Sequence, residues 1–425
     1  MKEYLKKLPQ EIQELVNLAA DIAAGNKVAA YLVGGFVRDL ILRVKNLDLD
    51  IVVEADGIKF AEDIAKTKNA RVIRHRRFGT ATVVVNNCLK IDVTSARREI
   101  YPEPGSLPLV APGSLSDDLA RRDFTINAMA ISIQGQDFGR LIDFFNGRND
   151  IRERNIRVLH DASFIDDPTR MLRAIRFEQR YNFRIERHTL RLVQDAVFSR
   201  ALAKVSPHRL RDELILALKE PFPVKCIRRM DKLVGFSFIS PKLRLGKEAY
   251  SFLRSIDRQI LWFRKKTPKK RALDAWLIYL IGLVGNMDRR DIITFVQRFG
   301  FSRGDTKRIL CYKDSADKLA KKLKQKVTPS QAYKHLQPLS YEVILLLSAK
   351  YKNKILAGNI SNFLNIYNGV TIHATGDDLA KLEVKPGPYY KSVLTKTLYA
   401  KLEGKVKTKK EEQEFIRGLV RRQAK

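Results

Sequence analysis

The chain has 425 residues, 45% of them hydrophobic, and 80 lysines and arginines against 47 aspartates and glutamates give a net charge of +33. That composition excludes a disordered, collagen-like or low-complexity chain and gives room for more than one domain. Three cysteines, Cys88, Cys226 and Cys311, exclude a disulfide framework and a closely spaced zinc site, and they point to a cytoplasmic protein.

Taken in order, Met1 to Ala24 mixes Lys and Glu with Leu5, Leu8, Ile12, Leu15 and Ile22, the spacing of an amphipathic helix and not of a signal peptide. Val28 to Val33 is an apolar strand ending at Gly34-Gly35, and Phe36 to Val44 reads as a short helix. Leu47 to Glu54 is a strand. Thr80 to Val85 and Cys88 to Thr94 are two further strands joined at Asn86-Asn87, a hairpin signal. Tyr101 to Ser116 is rich in Pro and Gly and reads as a loop, and Leu141 to Phe145 as a last short strand. Beyond residue 150 helical patterns take over: Asp167 to Tyr181, His188 to Phe198, Pro207 to Leu218, Ala272 to Val284 and Arg289 to Phe299. Breaks fall at Glu220-Pro221-Phe222-Pro223 and at the basic stretch Lys265 to Arg271. The longest apolar stretch, Ala275 to Val284, has ten residues, well short of the ~18 that a membrane span needs. The expected architecture is an α/β head followed by a long helical extension.

Candidate chemistry concentrates in the head. In Asp48-Leu49-Asp50 the carboxylates lie two residues apart in a strand and share a face, with Leu49, Ile51 and Val53 directed to the core. Two such carboxylates repel unless a cation lies between them, and Mg²⁺ favours one or two carboxylates completed by substrate phosphates. Spacing alone favours an exposed edge strand whose polar face carries two Asp, since such pairs are common. Gly34-Gly35, between strand and helix, adds backbone N–H groups suited to a phosphate, and Arg38 falls on the first turn of that helix. Asp92, on a later strand, is either a third carboxylate of the site or an ordinary polar strand residue. In the fourth quarter of the head and neck, Asp167-Pro168 is a good helix start, with Asp as N-cap and Pro at the first position. Arg170, Arg173, Arg176 and Arg180 follow with few acids nearby, a poor composition for a plain surface helix but a suitable one beside a triphosphate. An Asp and an Arg together offer acceptor and donor groups that match the edges of both cytosine and adenine.

Gly34-Gly35-Phe36-Val37-Arg38-Asp39 followed by Asp48-Leu49-Asp50 resembles the signature of the nucleotidyltransferase superfamily, and more narrowly of the class II tRNA nucleotidyltransferases and bacterial poly(A) polymerases. Four further segments resemble that family's motifs in its order: Arg121 to Ala130, Leu141 to Gly147, Asp166 to Phe177, and Val205 to Leu210 with Glu213. The resemblance implies an α+β chain: a nucleotidyltransferase head of the polymerase-beta-like type over residues 1–150, an all-helical neck over 151–222 and a helical, tRNA-binding body and tail over 223–425. It implies transfer of nucleotides from CTP or ATP to the 3′ end of tRNA, with pyrophosphate leaving, by a two-metal mechanism using Mg²⁺. Asp48 and Asp50 match the metal-binding carboxylates, with Asp92 as the third catalytic candidate. Gly34, Gly35, Arg38, Arg122 and Asp123 match nucleotide-contacting positions. Asp167 and Arg170 match the pair that reads the base, and Arg173 and Arg176 further nucleotide-binding arginines. Asp166 stands where the family usually has Glu.

Three activities share these motifs: addition of CCA, of CC, or of the terminal A alone. The loop from Arg97 to Leu119 resembles the family's flexible loop at full length, which argues against CC addition. The alternative is a poly(A) polymerase, against which the short mixed-charge tail Arg421-Arg422-Gln423-Ala424-Lys425 weighs. A non-catalytic RNA-binding protein on the same scaffold is disfavoured by the presence of both aspartates. The excess positive charge suits an RNA partner, no membrane partner is expected, and monomer and homodimer both remain open.

Overall fold

In the computed structural model, residues 1–44, 48–86, 89–267 and 272–422 are described. Their contacts divide the chain into two units, Met1–Phe238 and Ile239–Lys425. The first is built on a seven-stranded sheet of β1 (Ala30–Val33), β2 (Leu49–Val53), β3 (Arg71–His75), β4 (Thr80–Val85), β5 (Leu89–Ser95), β8 (Ala130–Ser132) and β9 (Leu141–Ile142), in the order β3-β4-β5-β2-β1-β8-β9. Every neighbouring pair is antiparallel except β2 and β5, which run parallel. The two remaining strands of the head, β6 (Arg97–Ile100) and β7 (Leu109–Pro112), form a separate hairpin.

Alternation explains which face is core. In β4, Ala81, Val83 and Val85 are buried while Thr80, Thr82 and Val84 are partly exposed, and β5 buries Ile91 and Val93. The helices Gln10–Asn26 and Gly57–Lys68 belong to the same layer, and Phe60, Ala61, Ile64 and Ala65 of the latter are buried. Asp56 starts that helix by accepting from the Ile58 and Lys59 amides. A second cluster, Val33, Val52, Ala96, Leu115, Leu119, Ala128 and Ala130, packs β1, β2 and β8 against the short helix Leu115–Ala120.

Most elements read from sequence are present, with shifted ends. The N-terminal amphipathic stretch is two helices, Lys2–Leu5 and Gln10–Asn26, because Pro9 opens the second. Leu47 of the expected strand Leu47 to Glu54, Asn87 of the Asn86-Asn87 hairpin signal, Cys88 of the strand expected after it, residues 268–271 of the basic break and Gln423-Ala424-Lys425 of the tail lie outside the described residues; β4 and β5 pair antiparallel. The expected loop from Tyr101 to Ser116 is a correction. Leu109–Pro112 pairs with Arg97–Ile100, and Ser114 caps the helix Leu115–Ala120 with a capping box. The connection 101–108 is irregular, and Gly113 and Ser114 link the strand to the helix. Composition hid the strand because Pro112 sits at its last position, where no ladder N–H is needed.

After the sheet the unit is helical: Gly147–Glu153, Ser163–Asp166, Arg170–Tyr181, Arg187–Phe198, Pro207–Lys219 and Pro223–Leu233. A two-residue parallel ladder, Asn155–Ile156 with Arg184–Ile185, joins the segment after Gly147–Glu153 to the segment after Arg170–Tyr181. The second unit consists of helices among its described residues. Ala275–Val284 is apolar on all sides because it is its core: Leu277 through Val284 are buried without a break. No helix of the described residues is long and apolar enough to cross a membrane. Near its end, Ala374, Leu379, Val393 and Ile416 form a small separate core. There the fully buried Glu412 accepts from the His373 amide (2.7 Å), the Ala374 amide (3.0 Å) and Lys401 Nζ (2.7 Å).

Candidate active site

The parallel pairing of β2 with β5 sets Asp50 directly beside Asp92. Their neighbours Leu49, Ile51, Ile91 and Val93 are buried on the opposite face, so both carboxylates emerge on the face away from the main core. Asp48 immediately precedes β2 and is exposed. Thr82 Oγ1, across the sheet on β4, donates to Asp92 Oδ1 at 2.5 Å. Burial pushes the Asp50 carboxyl up to about 6; Asp92 and Asp48 push the same way, and Arg122 opposes them. A cation beside Asp50 would relieve both the repulsion and the burial cost, so the residues fit a divalent ion. Among the described residues no group of three or more His, Cys, Asp or Glu side chains is arranged to hold a metal by itself. The donor set is therefore an open one, of the kind Mg²⁺ shares with substrate oxygens.

Gly34 has a φ of +67°, and a Cβ there would stand 2.4 Å from Arg122 Nη1. Glycine at this position is what lets Arg122 lie along the turn between β1 and the helix Gly35–Leu42. Arg122 is anchored from behind: its Nη2 donates to Asp118 Oδ2 at 2.9 Å. Arg121 donates to the other oxygen of the same carboxylate through Nε (2.9 Å) and Nη2 (2.6 Å). Asp118 is fully buried. Burial alone would raise its carboxyl, but the Arg122 and Arg121 guanidiniums outweigh it and hold the group below the usual carboxylate range. Sequence reasoning missed Asp118; the signal was its spacing of three and four residues to two arginines.

Arg38 is also buried, donating through Nε to Asp39 Oδ1 (2.8 Å) and through Nη1 to Asn127 Oδ1 (2.5 Å). Its guanidinium lies 5.3 Å from the Phe177 ring centroid and 4.8 Å from that of Tyr181, cation–π contacts that fix its plane. Tyr181 OH donates to Asp39 Oδ1 at 3.0 Å, so Asp39 joins the arginine to the tyrosine beside it.

The arginine helix begins later than its sequence suggests. Thr169, not Asp167, is the N-cap, and the helix runs Arg170–Tyr181. Asp167 instead closes a turn, with Oδ1 accepting from the Thr169 amide (3.0 Å) and Thr169 Oγ1 (2.6 Å). An Asp side chain bonding two residues ahead competes with the helix for its own first turn. Asp167 Oδ2 lies 2.7 Å from Arg209 Nη2. Arg170 is buried, donating to Ser163 Oγ (2.8 Å) and the Arg121 carbonyl (2.8 Å), with Tyr101 OH 3.5 Å away. The apparent shortage of acids near these arginines is also corrected: the acids arrive from distant segments. Arg173 pairs with Asp123 (2.7 Å) and Glu213 (3.0 Å), and Arg176 with Glu213 (3.3 Å) and Glu220 (3.7 Å). Burial would lower the Arg173 guanidinium and raise Asp123. Their mutual attraction, with Glu213, wins for both, so Arg173 is raised and Asp123 lowered.

One cavity of about 610 Å³ gathers these groups. Its wall includes Gly35, Arg38, Asp48, Asp50 and Asp92 from the sheet side, Arg122 and Asp123 from the segment after Leu115–Ala120, and Asp167, Arg170, Arg173 and Arg176 from the arginine helix and the turn before it. Of the catalytic and nucleotide-binding candidates read from sequence, Gly34 alone is outside that wall, next to Arg122. Asp166, the position that departs from the family pattern, contributes its carbonyl to the Gly105 amide at 3.2 Å.

Comparison with known proteins points the same way. A family model described as a poly A polymerase head domain matches residues 30–157, and one described as a probable RNA and SrmB-binding site of polymerase A matches 182–245. The chain is 38% identical over 392 residues to an A-adding tRNA nucleotidyltransferase of Geobacter sulfurreducens, covering 91% of this chain and 44% of that protein. With an A-adding tRNA nucleotidyltransferase of Halalkalibacterium halodurans it shares 34% identity over 412 residues, 95% of this chain and 92% of that one. It therefore spans less than half of the first relative and nearly all of the second. Among solved structures, a Thermotoga maritima CCA-adding enzyme complexed with tRNA superposes with a TM-score of 0.75 at 34% identity, covering 99% and 98% of the two chains. CCA-adding enzymes complexed with CTP (TM-score 0.76, 34% identity) and with ATP (TM-score 0.78, 33% identity) cover the same shares, 99% and 98%.

Proposed function

The chain belongs to the tRNA nucleotidyltransferase family, and on that premise we propose that it extends tRNA at the 3′ end, adding CCA or its terminal A, from CTP and ATP with Mg²⁺ as cofactor. The observation that carries this reading is the single cavity in which the paired carboxylates of two parallel strands meet an aspartate–arginine corner and further arginines. Residues 1–150 act as the catalytic head, 151–222 as the nucleotide-selecting neck and 223–425 as the tRNA-binding body and tail. Lys265, Lys266, Lys321, Lys322 and the lysines of 405–410 are exposed, as phosphate contacts require.

In the transfer, the tRNA 3′ oxygen bonds to the α-phosphorus of the incoming nucleotide as the α–β bridging bond breaks, and pyrophosphate leaves. Mg²⁺ held by Asp48 and Asp50 supplies, when bound, positive charge at the attacking and leaving oxygens. Asp92, beside Asp50, holds the negative potential of that face and is itself oriented by Thr82. Arg122, Arg38 and Arg173 present guanidinium edges to the phosphates, and because Asp118, Asp39 and Asp123 already fix them, little reorganisation is needed at the moment of reaction. Gly35, the first residue of the helix Gly35–Leu42, lies on the cavity wall, and a helix start suits a phosphate. Asp167 accepts from the exocyclic amino group of cytosine or adenine, and Arg170 donates to the ring nitrogen next to it.

Single-nucleotide extension tests the proposal. Purified protein and Mg²⁺ receive tRNA ending before CCA, after C and after CC, with CTP, ATP or both. Gain of CCA and then arrest identifies complete CCA addition; gain of one A only on the CC-ended tRNA identifies A addition. A long A ladder on unrelated RNA, or full transfer by the Asp48→Ala/Asp50→Ala variant, would overturn the reading.

A further inference from the structure

We infer that Arg209 is a specificity-determining positioning residue: it orients the Asp167 carboxylate toward the incoming base and ties that carboxylate to the tip of the 101–108 connection. The inference rests on the base-reading role proposed above for Asp167. Arg209 lies in the helix Pro207–Lys219 and is not part of the cavity wall. It reaches Asp167 from behind, Nη2 to Oδ2 at 2.7 Å, while its Nη1 donates to the Gly105 carbonyl at 3.0 Å. The Gly105 amide in turn donates to the Asp166 carbonyl at 3.2 Å. Gly105 has a φ of +75°, and a Cβ there would come within 3.2 Å of the Lys204 carbonyl oxygen, so the tip is seated closely on the segment that leads into the Arg209 helix. One planar guanidinium thus bridges the connection and the base-reading corner.

The geometry also says what this bridge does. A carboxylate offers about four lone-pair directions. Thr169 takes two on Asp167 Oδ1, through its amide and its hydroxyl, and Arg209 takes one on Oδ2. Among the described partners one direction on Oδ2 is left. A single fixed acceptor placed against purine C6 or pyrimidine C4 rewards the amino group that adenine and cytosine carry there, and leaves the carbonyl that guanine and uracil carry at the same position unpaired or repelled. Arg209 stands outside the cavity wall, so it is not placed to hold phosphate or sugar. Its removal releases the carboxylate to rotate and frees the connection, so it costs discrimination between bases rather than the transfer step.

The full-length chain is assayed on tRNA ending in CC with ATP, UTP and GTP, as wild type and as Arg209→Ala, Arg209→Lys, Asp167→Ala and the Asp167→Ala/Arg209→Ala pair. Arg209→Ala is expected to lower the kcat/KM ratio of ATP over UTP and over GTP by roughly tenfold, mostly through a higher KM for ATP, the scale on which a misplaced polar partner costs selectivity. Arg209→Lys keeps the charge but not the two-pronged reach, and should recover part of that ratio. In the Asp167→Ala background, Arg209→Ala should change the ratio no further. An equal fall for all three nucleotides in both Arg209 variants, with Asp167→Ala still losing discrimination, would make Arg209 a plain strut and overturn the inference alone. Unchanged discrimination in Asp167→Ala would remove the base-reading role and the inference with it. Should Arg209→Ala lose its far-UV circular dichroism, Arg209→Lys decides: an unaltered ratio there also overturns it.

Discussion

Removing the Asp118 carboxylate tests whether the site's arginines are held by the protein before a nucleotide arrives. In Asp118→Ala, Arg122 loses its 2.9 Å partner and Arg121 loses two bonds of 2.9 and 2.6 Å, at a point with no exposure to water. Leaving one side of a buried ion pair unmatched costs about 3–5 kcal/mol. Arg121 keeps Glu99 at 3.1 Å, which favours the lower end, about 3 kcal/mol. The unit concerned has 238 residues, and at about 2–4 °C per kcal/mol the melting temperature should fall by roughly 6–12 °C. The pH dependence has a definite sign. In the folded chain Asp118 is held below its unfolded value, so its contribution is complete above the unfolded value and is lost as pH falls through the lowered one. The gap between wild type and variant should therefore be widest near neutrality and narrow below about pH 4. Urea unfolding followed by far-UV circular dichroism measures it; tryptophan fluorescence would not, since Trp262 and Trp276 both belong to the other unit. A loss under about 1 kcal/mol at pH 7, or a gap that widens on acidification, would refute the reasoning.

Two further outcomes are expected. Gly34→Ala must place a Cβ 2.4 Å from Arg122 Nη1 at a φ of +67°, so it should cost about 1–3 kcal/mol of stability and depress nucleotide kcat/KM, whereas Gly246→Ala, with nothing within 4 Å, serves as the kinetic and melting control. Glu412→Ala leaves two amides and a lysine without their acceptor, at about 1–3 kcal/mol for an abandoned buried partner; hydrogen exchange at His373 and Ala374 should accelerate, while protection of the head strands stays as it is.

The strands and most helices of the head could be read from sequence because their signals are local. Alternation in Thr80–Val85 and a glycine pair after an apolar run need no knowledge of partners. What escaped reading depends on pairing across distance. Leu109–Pro112 is a strand only because Arg97–Ile100 is there to receive it. The start of the arginine helix was misplaced because Asp167 spends its side chain on Thr169 and Arg209 instead of capping. Asp50 and Asp48 were legible as a pair, but the adjacency of Asp92 is fixed by the parallel register and cannot be read from spacing. Likewise the arginines at 173 and 176 looked unpartnered because Asp123, Glu213 and Glu220 reach them from 37 to 50 residues away.

The partnering of arginines with acids has a consequence for how the two substrates would respond to salt. Seven arginines and seven carboxylates line the cavity, so its wall is formally neutral although the whole chain carries +33. A nucleotide entering it meets separated charges at contact distance, where mobile ions screen little. A polyanion approaching the outside meets the uncompensated excess, which counterions do screen. Raising ionic strength should therefore weaken the hold on RNA far sooner than the hold on the nucleotide. The protein would capture its two reactants by physically separate means, and added salt would pull those two steps apart.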